Sequence, residues 1–185
     1  MTAVPFGGLR LATEPGRVMV PRATSLGLVE RALSHIGDEP AVVVDVGTGS
    51  GAVALAIAEA APRALVWATD IRSEAVALAR RNALGLGLGD RVRVRRGDLL
   101  DPLPGRVDVI VANLPYLPRR ERALHPDLAG EPEDAVFADG DGLGLYRRLI
   151  AEAPSRLAPH GLVALQLRGK IVTPLSASAA ISSAA

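Results

Sequence analysis

Three aspartates, an asparagine and a cluster of glycines carry the chemistry open to this chain. Gly47-Thr48-Gly49-Ser50-Gly51 follows the apolar run Val42-Val43-Val44-Asp45-Val46 and precedes Ala52-Val53-Ala54-Leu55-Ala56-Ile57-Ala58. Glycine is needed where a ligand must lie against the backbone, because any Cβ holds it off, and where a tight turn takes positive φ. A helix beginning behind such a turn offers free N–H groups and a partial positive charge. Asp70 stands 19 positions beyond Gly51, the interval at which a carboxylate accepts from ribose hydroxyls. That spacing suits an adenosyl ligand and a nicotinamide dinucleotide equally, because Gly47, Gly49 and Ala52 also satisfy the permissive G-x-G-x-x-G/A fingerprint. Asp98 and Asn113 complete the set.

The elements around these residues place them along one edge. Val42–Val46 and Val107–Ala112 are apolar runs rich in β-branched residues, each holding a single aspartate, as strands buried on both faces of a parallel sheet allow. Ala64–Thr69 is a second such strand ending in Asp70, and Leu162–Leu167 is a fifth. Arg91–Arg96 alternates with period two and reads as a strand with its arginines on one face. Helices are expected from Ser25 to Ile36, after Gly51, from Ser73 to Leu84 and from Leu143 to Leu157. Asp45 then lies within strand one, Asp70 ends strand two, Asp98 follows strand three and Asn113 follows strand four. In an open α/β sheet the ligand crevice runs along that edge.

The expected fold is therefore α/β, a Rossmann-like open, mostly parallel sheet with helices on both faces. Phe6 to Arg22 reads as a β-hairpin turning at Thr13-Glu14-Pro15-Gly16 and returning through Val18-Met19-Val20. The domain reading is a hairpin extension over 1–24, an α/β domain over 25–170 and a Ser/Ala-rich tail over 171–185 to which no structure is assigned. Leu117 to Gly142 is a loop long enough to cover a site.

Composition narrows the function. The 185 residues suffice for one α/β domain with a real core. There is no cysteine, which excludes disulfides, thiolate metal sites and a cysteine nucleophile. The net charge of +1 exerts no overall pull toward nucleic acid, and aromatic residues at 3% are too few for a base-stacking platform. No apolar run approaches a membrane span and no signal peptide is visible, so a cytoplasmic location is the default expectation. His35, His125 and His160 sit in or beside turns and carry no catalytic expectation. Asp139 and Asp141 stand too close to glycines to be read as a metal site, and no metal is expected.

Asn113-Leu114-Pro115-Tyr116 separates the remaining possibilities. It resembles the [NDS]-P-P-[YFW] motif of class I S-adenosylmethionine-dependent methyltransferases that modify an amide or exocyclic nitrogen. The resemblance extends to the protein-(glutamine-N5) methyltransferases that modify translation release factors. It runs through Arg17–Arg22, Asp45–Gly51, Glu131-Pro132, Asp141-Gly142-Leu143 and Tyr146–Ile150, and covers roughly Gly7 to Leu167. Three departures stand out: Leu114 replaces the motif's first proline, Ala23-Thr24-Ser25-Leu26 stands where the family has Pro-Glu-Thr-Glu, and the family's helical N-terminal domain has no counterpart. Five strands are legible where the class I sheet has seven, so the sheet is expected to be shortened at its C-terminal edge.

What the resemblance implies is specific. The cofactor is S-adenosyl-L-methionine, with Gly47, Thr48, Gly49 and Gly51 against its methionine portion and Asp45 orienting the turn. Asp70 binds the ribose, Asp98 meets the adenine amino group, and Ile71 and Leu99 pack the ring. Asn113, Pro115 and Tyr116 are the catalytic set, Asn113 also bordering the cofactor, and Asn113 through Tyr116 hold the substrate amide. An amide nitrogen is a poor nucleophile. The Asn113 side-chain oxygen and the Leu114 carbonyl are the acceptors that aim its lone pair, Pro115 stiffens the turn and Tyr116 covers the planar group. The expected partner is a glutamine-bearing, release-factor-like protein. Three alternatives remain: transfer to a base nitrogen of RNA or DNA aided by Arg119, Arg120 and Arg122, a nicotinamide-dependent oxidoreductase, and a cofactor-binding relative that transfers nothing.

Overall fold

The computed structural model describes residues 2–168 and 170–173. The chain opens with β1 (Thr2–Phe6) and β2 (Leu9–Thr13), then passes a 3-10 turn at Ala23–Ser25 into α1 (Leu26–Ile36). β3 (Ala41–Val46), α2 (Ala52–Ala60), β4 (Ala64–Asp70), α3 (Ser73–Gly85), β5 (Val92–Arg96) and β6 (Val107–Ala112) follow. The segment after β6 holds β7 (Leu117–Pro118), two 3-10 turns, α4 (Glu133–Val136) and β8 (Phe137–Ala138). α5 (Gly144–Arg156), β9 (Leu157–Leu167) and β10 (Lys170–Val172) end the described chain.

Six strands form the main sheet in the order β10-β9-β6-β3-β4-β5. All neighbours are parallel except β10, which runs antiparallel to β9. The sequence reading of five strands is thus corrected by one. Ile171 and Val172, placed in the tail by composition, pair with Gln166 and Leu165, and Ile171 packs against the core beside Gly27. Residues 174–185 of the expected tail lie outside the described residues.

Each central strand feeds both faces of the sheet, which is why its sequence does not alternate. Val43, Val66, Val109, Val111 and Ala164 pack under α1, α2 and α3, whereas Val44, Val46, Ile110, Val163 and Leu165 pack against α5. α2 is apolar all round, with Ala52 through Ala58 buried, as a helix enclosed by its neighbours must be.

The hairpin exists, but with a different register from the one expected. Its two-residue turn is Gly7-Gly8, both at positive φ, and Phe6 pairs with Leu9 while Thr2 pairs with Thr13. Two consecutive positive-φ residues match the right-handed twist of a hairpin. Val18-Met19-Val20 is not a return strand. It crosses the carboxyl edge of the sheet instead. Phe6, Leu9 and Leu11 belong to the same core as α1 and α2. Asn82 of α3 fixes β2 further: it accepts from the Ala12 N–H at 2.9 Å and donates to the Ala12 carbonyl at 3.1 Å and the Ser50 carbonyl at 2.9 Å.

Candidate active site

The end of β3 builds the floor of the site. Gly47, Gly49 and Gly51 all take positive φ, so the turn closes in a conformation that side chains resist. A Cβ on Gly47 would stand 2.7 Å from the Leu114 side chain, and one on Gly51 would press Leu55 and Ala79 at 3.1 and 3.2 Å. Gly51 is therefore a packing glycine between α2 and α3. At Gly49 the nearest atom lies 3.9 Å away on Val18, leaving its backbone open to the cleft.

Asp45 lies beneath this turn, almost fully buried. It accepts from the Thr48 hydroxyl at 2.6 Å and the Ala54 N–H at 3.2 Å. Burial pushes its carboxyl up to about 6; the two hydrogen bonds oppose that rise and the charge of Asp70 adds to it. Asp70, at the end of β4, accepts from the Gly49 N–H and the Arg72 N–H, each at 2.9 Å. Burial raises its pKa as well, with those backbone bonds pulling the other way. One N–H on each oxygen leaves acceptor capacity on both, facing the cleft.

The cleft is open to solvent, and its lining is mostly apolar with a few polar groups, as in small-molecule sites. Of the residues singled out in the sequence, Gly47, Gly49, Asp70, Ile71, Asp98, Leu99, Asn113, Leu114 and Pro115 line it. Asp45 and Thr48 line a smaller recess beside it, with Gly47, Gly49, Met19 and Asn113. Gly51 lines neither. Ile71 is 62% exposed, an apolar surface turned to the cleft rather than the core. Asp98 also receives an ion pair from Arg148 at 2.7 Å, through one of its two oxygens. The sequence did not single out Val18, Met19, Ala135 or Leu145 as cleft residues, although all four line it. The only signal for the first two was the Arg17–Arg22 resemblance.

A second cavity, also open to solvent, lies beyond Asn113-Leu114-Pro115, and Tyr116 joins its lining. Met19, Asn113, Leu114, Pro115 and Ala135 border both spaces. The segment after β6 is thus a wall between two cavities. Asn113 donates from Nδ2 to Ser25 Oγ at 3.2 Å. Leu114 is held by Tyr146: its N–H donates to the Tyr146 hydroxyl at 2.9 Å, and that hydroxyl lies 2.9 Å from the Leu114 carbonyl and 2.7 Å from the Gln166 carbonyl. A proline at 114 would have no N–H to give. The hydrogen bond restrains the turn where the family pattern uses a ring. Burial raises the Tyr146 pKa, so the phenol stays protonated.

The long segment after the wall covers it. Glu131 accepts from the Val20 N–H at 3.1 Å and meets Arg22 at 3.5 Å, tying this segment to the N-terminal one. Arg119 is engaged by Glu133, Asp134 and Asp139, Arg122 by Glu133, and Arg120 by the Gly140 carbonyl. Among the described residues no His, Asp and Glu are grouped to hold a metal ion, and no helix is long and apolar enough to cross a membrane.

A mostly parallel α/β sheet with a glycine turn and strand-end acids along one edge is the class I methyltransferase arrangement. The chain belongs to the methyltransferase small domain family, whose model matches residues 27–129. It is 42% identical over 176 residues to a release factor glutamine methyltransferase of Deinococcus radiodurans, covering 94% of this chain and 62% of that protein. A second relative of the same name, from Moorella thermoacetica, is 42% identical over 153 residues, covering 81% of this chain and 54% of its own. A solved methyltransferase from Pyrococcus furiosus aligns at TM-score 0.63 and 25% identity, over 88% of this chain and 71% of that one. The chain spans between about half and three-fifths of the length of these curated relatives.

Proposed function

We propose that this chain is the methyl-transferring part of an S-adenosylmethionine-dependent enzyme whose acceptor is a glutamine side-chain amide of a release-factor-like protein. The observation that carries the reading is the wall: Asn113-Leu114-Pro115 borders the cleft of the glycine turn on one side and a second cavity on the other. The names of the relatives support the choice of substrate.

The residues present fit the cofactor. Gly47 and Gly49 offer backbone without side chains, Asp70 retains acceptor capacity for two ribose hydroxyls, and Ile71 and Leu99 offer apolar faces beside Asp98 for a planar ring. S-Adenosylmethionine, when bound, supplies an electrophilic methyl group on a sulfonium sulfur. Asn113 Oδ1 accepts one amide N–H of the substrate, and the Leu114 carbonyl has a second lone pair besides the one facing Tyr146. Held by both N–H bonds, the amide nitrogen is left with its lone pair directed across the wall. Pro115 and Tyr116 fix and cover the group. Catalysis is then by orientation. Transfer to a nucleic acid is less well supported, because Arg119, Arg120 and Arg122 are occupied by acids and a carbonyl of their own segment.

The test has two arms. Calorimetric titration is expected to show S-adenosylmethionine binding that is lost in Asp70→Ala, and unchanged affinity in that variant refutes the ribose assignment. Transfer of a labelled methyl group to an unmethylated release factor, mapped by mass spectrometry, is expected on a glutamine and absent in Asn113→Ala. Cofactor binding without transfer to any glutamine would leave a binding-only relative.

A further inference from the structure

Two amide side chains stand at neighbouring strand tips, and successive hydroxyls of one turn hold them. Asn113 follows Ala112, the last paired residue of β6, and Gln166 follows Leu165, the partner of Ala112 on β9. Ser25 takes the Asn113 amide N–H, and Thr24 takes that of Gln166, both at 3.2 Å. Leu162, Ala164 and Gln166 form one row on the α1 side of β9. The first two join the core there, while the third, at the crevice end, is an amide lining the cavity beyond the wall.

Gln166 is 3% exposed, yet its Oε1 has no hydrogen-bond partner. Turning the amide over would give Thr24 the oxygen and strand the nitrogen instead, so one polar atom is left over either way. A buried acceptor without a donor loses its hydration and gains nothing in exchange. Such an exception calls for a reason. The amide that carries this atom is held by its Nε2 bond to Thr24, and the Gln166 backbone carbonyl is bonded at 2.7 Å to the Tyr146 hydroxyl that also takes the Leu114 N–H. The orphan is thus fixed relative to Asn113 and Leu114.

We infer that Gln166 is a substrate-binding residue whose side-chain oxygen accepts an amide N–H of the peptide that Asn113 engages. The inference rests on the transferase reading above. It gives the second cavity a polar anchor besides the Asn113–Tyr116 turn, and it makes peptide N–H donors the chemistry that cavity selects. A site with a buried acceptor discriminates strongly against ligands that leave it unpaired.

The experiment uses the full chain, S-adenosylmethionine and an intact, unmethylated release factor. Gln166→Leu is expected to lower kcat/KM for the release factor by about tenfold or more. Its affinity for the release factor, measured with S-adenosylhomocysteine present, should weaken in parallel, while calorimetric affinity for S-adenosylmethionine stays unchanged. Gln166→Glu keeps the acceptor oxygens and is expected within a few-fold of the parent. If circular dichroism shows Gln166→Leu unfolded, Gln166→Met, of near-equal length, takes its place. Parental kcat/KM and affinity in the apolar variant, or equal losses in the Glu and Leu variants, overturn the inference and leave the transferase reading standing. A parent chain that binds S-adenosylmethionine and methylates no glutamine overturns both.

Discussion

At the scale of single residues, Asp45 shows what the site costs the fold. Its carboxyl is raised from 3.8 to about 6, so the folded protein holds a proton there that the unfolded chain releases. Below pH 3.8 the group is neutral in both states and burial carries no penalty. As pH rises through 6 the buried group ionises and the penalty appears in full, about two pH units at ~1.4 kcal/mol each. Asp45→Asn should therefore gain on the parent by up to about 3 kcal/mol between pH 4 and pH 7.5 in urea unfolding. A difference between the two proteins that does not vary with pH would show that Asp45 is not strained by its charge. The acid itself was legible because it interrupts an apolar run just before the glycines. So were Asp70 and Asn113, each at the end of such a run. Gln166 and Tyr146 were not, since their meaning lies in partners far away in the chain: Thr24 for one, Leu114 for the other. Nothing local in Leu165-Gln166-Leu167 distinguishes an orphaned amide from a solvated one.

Among the elements, the segment from β7 to α5 makes one very close backbone approach to the wall. Gly142 has φ +86, and a Cβ there would stand 2.1 Å from the Tyr116 carbonyl oxygen. Gly140 has a similar φ of +65 with open space around it. Gly140→Ala is expected to cost about 1 kcal/mol through backbone strain alone, and Gly142→Ala roughly 2 kcal/mol or more because the covering segment must also lift from the wall. Equal losses in denaturant unfolding would mean the close approach carries no weight. The sequence marked this segment as a cover from its length and prolines, but not its fastening to Val20 through Glu131. The hairpin register differs from the sequence expectation for a related reason. Pro15-Gly16 is a real turn, with Arg17 and Val18 N–H groups bonding the Glu14 carbonyl, but Gly7-Gly8 had already reversed the chain. Both signals were in the sequence, and only the packing of Leu9 and Leu11 into the core chose between them.

For the molecule as a whole, the parallel sheet was the most legible feature, because buried β-branched runs leave few other folds. Its antiparallel edge was the least legible. β10 is three residues long, too short for a periodic signal, and it opens a stretch whose composition turns to Ser and Ala. Cofactor binding should stabilise the entire sheet, since the cleft draws walls from β3 and β4 and from the turns that follow β5 and β6. S-Adenosylmethionine at a hundredfold excess over its Kd is expected to add about 2.7 kcal/mol, a Tm rise of roughly 5–10 °C. A rise with a nicotinamide dinucleotide and none with S-adenosylmethionine would reassign the site.

The Asn82 amide grips Ala12 by both backbone groups and Ser50 by its carbonyl. One side chain thereby couples the first hairpin to the loop on which the adenosyl reading depends. Strain or slack in residues 2–13 would be transmitted to that loop through this one side chain of α3. The hairpin is in this sense a keystone for the glycine turn, although it lies outside the main sheet.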